Sequence, residues 1–216
     1  MKTVITPAIV VQVRAVREAD TMLVLLSQQH GRVSAYARNS RKSQKRFMGG
    51  LDLFDCCLFE LADSRHSGQV FNVDQVKKRE HWPALRENLK KYAAACFCLE
   101  LTCQFAQDDD HDTASLFSPL YKCLKGINQS KDDSEALTLA LYYNLVLLKL
   151  SGFNFVDDDT RINPDSDLHR WFEEMIGGEK PIVPYDEALL RQGLHGLVTF
   201  SQEILGRELR SASVML

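Results

Sequence analysis

The sequence predicts an α+β protein: a small β-barrel at the N-terminus followed by an all-α helical domain. Two observations carry this. The hydrophobic pattern alternates with period 2 through about the first 80 residues and takes up the helical period after them. The charge changes in the same region. Residues 1–80 hold 13 Lys or Arg against 8 Asp or Glu, and the remaining 136 hold 13 against 21. The whole chain of 216 residues is 45% hydrophobic, 25% charged and −3 in net charge, the mix of a globular protein able to bury a sizeable core. Disordered, collagen-like and rod-like characters are excluded. The overall balance alone would predict no polyanion and no membrane partner, but the split between the halves points to a basic polyanion-binding module joined to an acidic one.

The barrel is read from five short strands. Val11, Val13 and Ala15 alternate with Gln12 and Arg14; Met22 to Leu26 is a short buried run; Arg32 to Arg38 alternates cleanly after His30-Gly31. Leu51 to Leu61 and Gln69 to Val76 are rich in β-branched and aromatic residues. Five such strands in about 75 residues fit a small closed or partly open barrel. Beyond them Trp82, Leu85, Leu89, Tyr92, Cys96, Leu99 and Cys103 recur at spacings of 3 and 4, one face of a long helix. A second helix runs from Thr113 to Lys125, closed by Gly126. A third is capped by Ser134 and stopped after Leu150 by Gly152. Asp157 to Asp167 is a polar loop, Asp167 to Ile176 a helix, and Pro184 to Leu205 the last helix, in which Gly193 and Gly196 each cost about 1 kcal/mol relative to Ala. The boundary falls between Lys77 and Trp82, dividing the chain into domains 1–80 and 81–216.

Six cysteines (Cys56, Cys57, Cys96, Cys98, Cys103, Cys123) lie in apolar runs and form no Cys-x-x-Cys pair, which predicts buried free thiols in a reducing compartment. Met1 to Pro7 has no apolar signal core, and the longest apolar stretch, Ala136 to Leu148, is too short to span a bilayer. The expected location is the cytoplasm, with no membrane partner.

The most informative stretch is the strand Arg32-Val33-Ser34-Ala35-Tyr36-Ala37-Arg38. Alternation puts Val33, Ala35 and Ala37 on one face and Arg32, Ser34, Tyr36 and Arg38 on the other. Guanidinium groups flanking an aromatic ring suit single-stranded nucleic acid, because the cations meet phosphates and a base stacks on the ring. Arg38, Arg41, Lys42, Lys45 and Arg46 then place five cations in nine residues with no acid among them. Such a segment reads as a mobile surface loop touching phosphate without reading sequence. The bland alternative is a solvated basic turn on a barrel of any function. Lys77, Lys78 and Arg79 either extend the phosphate track or form a solvated linker, and both readings stay open.

These residues also resemble a known family. Glu18-Ala19-Asp20, Leu25-Leu26 and His30-Gly31-Arg32-Val33 are similar to the start of the bacterial recombination mediator RecO. So is the basic loop followed by Phe47-Met48-Gly49-Gly50-Leu51-Asp52-Leu53-Phe54. Tyr92 to Ala95 with Leu99-Glu100-Leu101, then Phe117, then Leu145 to Phe153, resemble its helical part. The resemblance covers about residues 1–155. It implies an OB-fold barrel followed by helices, no bond-making chemistry and no cofactor. It further implies binding of single- and double-stranded DNA, annealing of complementary strands, and partnership with RecR and the acidic C-terminal tail of SSB in loading RecA. Arg32, Tyr36, Arg38, Arg41, Lys42, Lys45 and Arg46 are the expected DNA contacts. Lys90, Lys91, Lys122 and Lys125 are cations open to the tail. Many members of the family carry a four-cysteine zinc site, but residues 157–178 here contain no cysteine and His169 stands alone, so no metal is expected.

Other sites fare poorly. Asp108 to Asp112 lacks the glycine and terminal glutamate of a calcium loop. Asp157 to Asp159 and Glu173-Glu174 have no nucleophile or base at a catalytic spacing, which counts against a hydrolase. A non-catalytic adaptor whose basic barrel binds an acidic peptide is the alternative to DNA binding.

Overall fold

The computed structural model describes residues 3–43, 45–47, 51–63, 70–106, 111–158, 162–178, 181–184 and 186–215. The chain forms two compact units, residues 1–82 with 106–121, and residues 83–105 with 122–216.

The first unit is a closed five-stranded barrel made of β1 (Thr3–Ala15), β2 (Thr21–Ser27), β3 (Gly31–Ala37), β4 (Cys56–Asp63) and β5 (Val70–Lys78). Around the barrel the order is β1-β2-β3-β5-β4, every pair antiparallel except β3 with β5. This is the OB-fold arrangement. β1 is longer than its alternating half: residues 3–9 pair with β4 and residues 8–15 with β2, and the register shifts between Val10 and Gln12. That irregularity bends one strand around the closure. Small residues at Ala8, Ala35 and Ala37 and large ones at Leu23, Leu25, Phe59 and Leu61 fill the interior. β4 begins five residues later than the sequence pattern suggests. Residues 51–55 form a turn instead, with Phe54 buried at positive φ (70°) and bonded through its N–H to the Val10 carbonyl at 3.1 Å.

Residues 106–121 belong to this unit. A 3₁₀ segment (His111–Leu116) lies over β2 and β3 and leads into α3 (Phe117–Gln129). Tyr121 packs near Trp82 and donates its hydroxyl to Glu80 at 2.6 Å, which raises the phenol to about 12. The acidic run starting at Asp108 falls largely outside the described residues.

The second unit is helical: α1 (Ala84–Glu87), α2 (Leu89–Phe105), the rest of α3, α4 (Asp133–Leu150), α5 (Phe155–Asp158), α6 (Asp167–Gly177), α7 (Glu187–Leu205) and α8 (Ala212–Met215). The expected single helix face from Trp82 to Cys103 is broken. Asn88 is extended, and its side chain caps the Lys91 N–H at 2.9 Å. That break resets the helical phase, so α2 buries Ala94, Cys98 and Leu101 while Leu89 is 73% exposed. Gly126 does not close α3, which runs on to Gln129. Asp132, not Ser134, caps α4 by accepting from the Glu135 N–H at 2.8 Å, and Glu135 reaches back to the Lys131 N–H at 2.7 Å. Lys91 is buried and donates to the Ser130 carbonyl at 2.7 Å just past the C-terminal end of α3. It serves that helix end and is not a cation open to a partner.

The stretch where the resemblance implies a four-cysteine zinc site does not fit one here. The sulfur donors are missing from the sequence, and among the described residues no group of three His, Cys, Asp or Glu converges. Packing holds it instead. Trp171 donates its indole N–H to the Ile182 carbonyl at 2.7 Å, and Phe155, Phe172 and Phe200 meet edge to face. All six cysteines are free thiols; five are buried and Cys96 is half-buried. Burial pushes Cys56 up to about 11 and Cys57 up to about 12. No helix of the described residues is long and apolar enough to cross a membrane.

Two experiments follow from this packing. A Cβ on Gly193 would lie 2.6 Å from Trp171 Cζ3 and 3.2 Å from Phe172 Cζ, whereas one on Gly196 would meet only Phe155 Cζ at 3.6 Å. In urea melts Gly193→Ala should therefore lose about 1–3 kcal/mol through overpacking, while Gly196→Ala gains up to about 1 kcal/mol from helix propensity. Titration with a thiol reagent should find Cys96 reactive in the native protein and the other five only after unfolding.

Candidate nucleic-acid interface

The interface is built on the outer face of β1, β2 and β3. In β3 the alternation is as the sequence dictates: Val33, Ala35 and Ala37 are buried in the barrel, while Arg32, Ser34 and Tyr36 are half-buried outside it. Cross-strand register sets Arg14 opposite Met22, Met22 opposite Tyr36, and Tyr36 opposite Asn72. Directly opposed residues share a face, so these four form one row across the barrel.

Tyr36 is organised by Asp20. The buried Asp20 carboxylate accepts the Tyr36 hydroxyl and, at 2.8 Å, the N–H of Asn39. The Tyr36 hydroxyl above all, then the Asn39 N–H, holds the Asp20 carboxyl below its ordinary value of 3.8; Arg17 and Arg38 add to this and desolvation opposes it. The phenol is raised in turn from 10.0, first by the hydrogen bond to Asp20.

The basic loop is anchored at several points, in contrast to the mobile segment expected from its composition. Asn39 takes a left-handed conformation (φ 58°), Ser40 is buried with its hydroxyl on Thr21 Oγ1 at 2.7 Å, and the Arg41 N–H bonds the Ala19 carbonyl at 3.1 Å. Phe47 plugs the barrel core at 2% exposure, with the Arg46 guanidinium 5.0 Å above its ring. A composition dominated by charge hid this single apolar anchor. Arg38, Arg41, Lys42 and Lys45 are exposed and Arg46 is half-buried, its guanidinium on the Arg38 carbonyl at 2.5 Å. Lys42 lies 3.8 Å from Glu18, with both side chains mostly in solvent, a weak pair. Gln44 and Met48 to Gly50 lie outside the described residues.

Two groups of the expected contacts stand apart from this cluster. The Arg32 guanidinium donates to the Ala106 carbonyl at 2.7 Å, and its backbone N–H donates to Thr113 Oγ1 at 3.0 Å. Lys77 and Lys78 are five and six positions along β5 from Asn72, roughly 16–20 Å at the rise of a strand, and Lys78 is 3.2 Å from the buried Asp55. Conversely, the register brings in Arg14, and the β1–β2 turn brings in Arg17, neither of which the sequence pattern singled out. The available signal was Arg14's place beside Gln12 on the polar side of the first strand.

Because folding holds the Asp20 carboxyl low, its contribution to stability is complete above about pH 4 and is lost as pH falls through the lowered value. The melting-temperature gap between the wild type and Asp20→Asn should therefore be constant from pH 7 to 5 and close below pH 4.

Two models of one family match the chain in tandem: Recombination protein O N terminal over residues 1–79 and Recombination protein O C terminal over residues 86–179. A curated relative named DNA repair protein RecO, from Desulfosudis oleivorans, is 32% identical over 148 residues, 68% of this chain and 55% of the relative. Relatives of the same name from Desulfatibacillum aliphaticivorans and Alkaliphilus metalliredigens are 25% and 26% identical over 71% and 68% of this chain, and 58% and 57% of their own. The chain thus spans little more than half the length of the curated relatives it matches. With both family models in order along a barrel and a helical unit, the chain belongs to the RecO family of DNA repair proteins.

Proposed function

We propose that the chain is a recombination mediator that binds single- and double-stranded DNA on the open part of its barrel face, anneals complementary strands, and works with RecR and SSB in loading RecA. One observation carries this reading: exposed cations at Arg38, Arg41, Lys42 and Lys45 follow directly on the strand that holds a half-buried tyrosine on the outer face of an OB-fold barrel. Cations on phosphates lower the repulsion between two strands, and a ring that stacks on bases leaves their pairing edges free. The work is binding and alignment, with no bond made or broken by the protein.

The SSB tail is acidic and needs an apolar floor with cations beside it. In the helical unit Leu190, Leu194 and Met215 floor a pocket of about 330 Å³ whose rim includes Lys90, Arg191 and His195. Glu187 already accepts from Arg191 at 2.8 Å and Asp133 also lines the pocket, so Lys90 and His195 are the rim groups the tail would use.

The test is fluorescence anisotropy with a labelled oligonucleotide and, separately, with an acidic C-terminal peptide. Changing Arg38, Arg41, Lys42, Lys45 and Arg46 together to Ala should weaken DNA binding about equally across sequences and flatten its salt dependence by up to about 0.7 per lost contact to a single strand. Annealing of complementary oligonucleotides, with and without SSB, should fall in parallel. Undiminished DNA affinity in that variant, with peptide binding lost, would instead make the barrel a peptide adaptor.

A further inference from the structure

Resting on the DNA-binding reading, we infer that nucleotides cross the barrel from the basic loop toward β1, over Tyr36 and Met22, with Arg14 and Arg17 as phosphate contacts and Arg32 outside the path.

The outer face is divided into a covered half and an open half. Along β2, Leu25, Leu26 and Ser27 are all buried in succession, which a strand with one solvated face would not show, while Met22 and Val24 are half-buried. The cover is the chain's own 3₁₀ segment, His111–Leu116. Arg32 fastens it, through Ala106 and Thr113, and Thr113 and Leu116 are buried there. A phosphate reaching the Arg32 guanidinium would have to compete with a buried backbone carbonyl that would then lose its donor. Running along β3 is therefore closed to a nucleic-acid strand beyond Ser34.

Running across the strands is open. The row Tyr36, Met22, Arg14 is half-buried, half-buried and exposed, an apolar floor that ends in a cation. Strands are spaced about 4.8 Å apart, so the Arg14 backbone lies roughly 10 Å from that of Tyr36, within reach of an arginine side chain. Arg17, exposed in the β1–β2 turn, is close enough to Asp20 and Tyr36 to act on both electrostatically, as Arg38 does. The stacking floor thus has Arg38 and the loop at its β3 edge, Arg14 at its β1 edge, and Arg17 in the turn that meets the loop. Glu18 in the same turn is exposed and lies 3.8 Å from Lys42.

The experiment measures binding of a labelled oligothymidylate by the full chain between 50 and 200 mM salt. It compares the wild type, Arg14→Gln/Arg17→Gln, Arg32→Gln and the five-cation loop variant, each checked for folding by thermal melting. Two lost contacts to a single strand should lower the log–log salt slope by about 1.4, so the Arg14/Arg17 variant should lose about sevenfold less affinity over that range than the wild type. Arg32→Gln should lower the melting temperature and leave the slope alone. An unchanged slope in Arg14→Gln/Arg17→Gln, with the loop variant's slope reduced, would overturn the crossing path while DNA binding at the loop stands. A slope reduced by Arg32→Gln would overturn it too. A loop variant with an unchanged slope would remove the underlying reading itself. If Arg32→Gln melts below the assay temperature, the Arg14/Arg17 arm decides alone.

Discussion

One buried carboxylate ties the basic surface together. Asp20 ends the first turn of the barrel, yet it accepts from a tyrosine on β3 and from the backbone at the root of the cationic loop. Like charges crowded on one rim repel, and a loop carrying five of them would move away from the barrel unless something held its base. A single carboxylate, committed to two donors and acting electrostatically on Arg17 and Arg38 as well, supplies that hold. The buried Ser40 hydroxyl and the Phe47 ring continue the same function along the loop. The described residues of the loop are tied to the barrel because its polar roots are inside.

The helical unit solves a different problem, holding by packing the stretch where the family resemblance implies a zinc site in other members. Cross-linking by zinc concentrates stabilisation at one point; this chain spreads it over aromatic rings and one close helix approach. Gly193 lets Trp171 and Phe172 come within contact of the α7 backbone, and the indole N–H of Trp171 is satisfied by Ile182. A residue that costs helix propensity in isolation is therefore stabilising in place, since any side chain there would push the rings out.

The barrel was legible in the sequence because a strand with one buried face writes its geometry as alternation, and β3 does so at every position from Gly31 to Ala37. The strand pattern implies a barrel but only the family resemblance implies the OB arrangement, since no local pattern encodes the β3–β5 pairing. Helix phase was less legible. The apparent stripe from Trp82 to Cys103 runs through Asn88, and a one-residue cap is enough to turn Leu89 and Tyr92 outward. Gly126 read as a stop because glycine often is one, but its place beside Leu139 is a matter of packing. At the interface, residue type identified cations and could not say what each one meets. Arg32 and Arg38 are alike in the strand pattern. Only the return of Ala106 and Thr113, some 75 to 80 positions later, separates them.

That return has a bearing on how the chain is made. The barrel cannot close until β5 has left the ribosome to zip against β3 and β4, and Arg32 stays without its cover until Thr113 has also emerged. A nascent chain therefore displays a longer bare strip of β2 and β3, with Leu26 uncovered, than the finished protein ever does. Shielding of that apolar strip is left to the last part of the barrel unit to be synthesised, which makes slow translation through residues 80–115 the interval in which misassembly is most exposed.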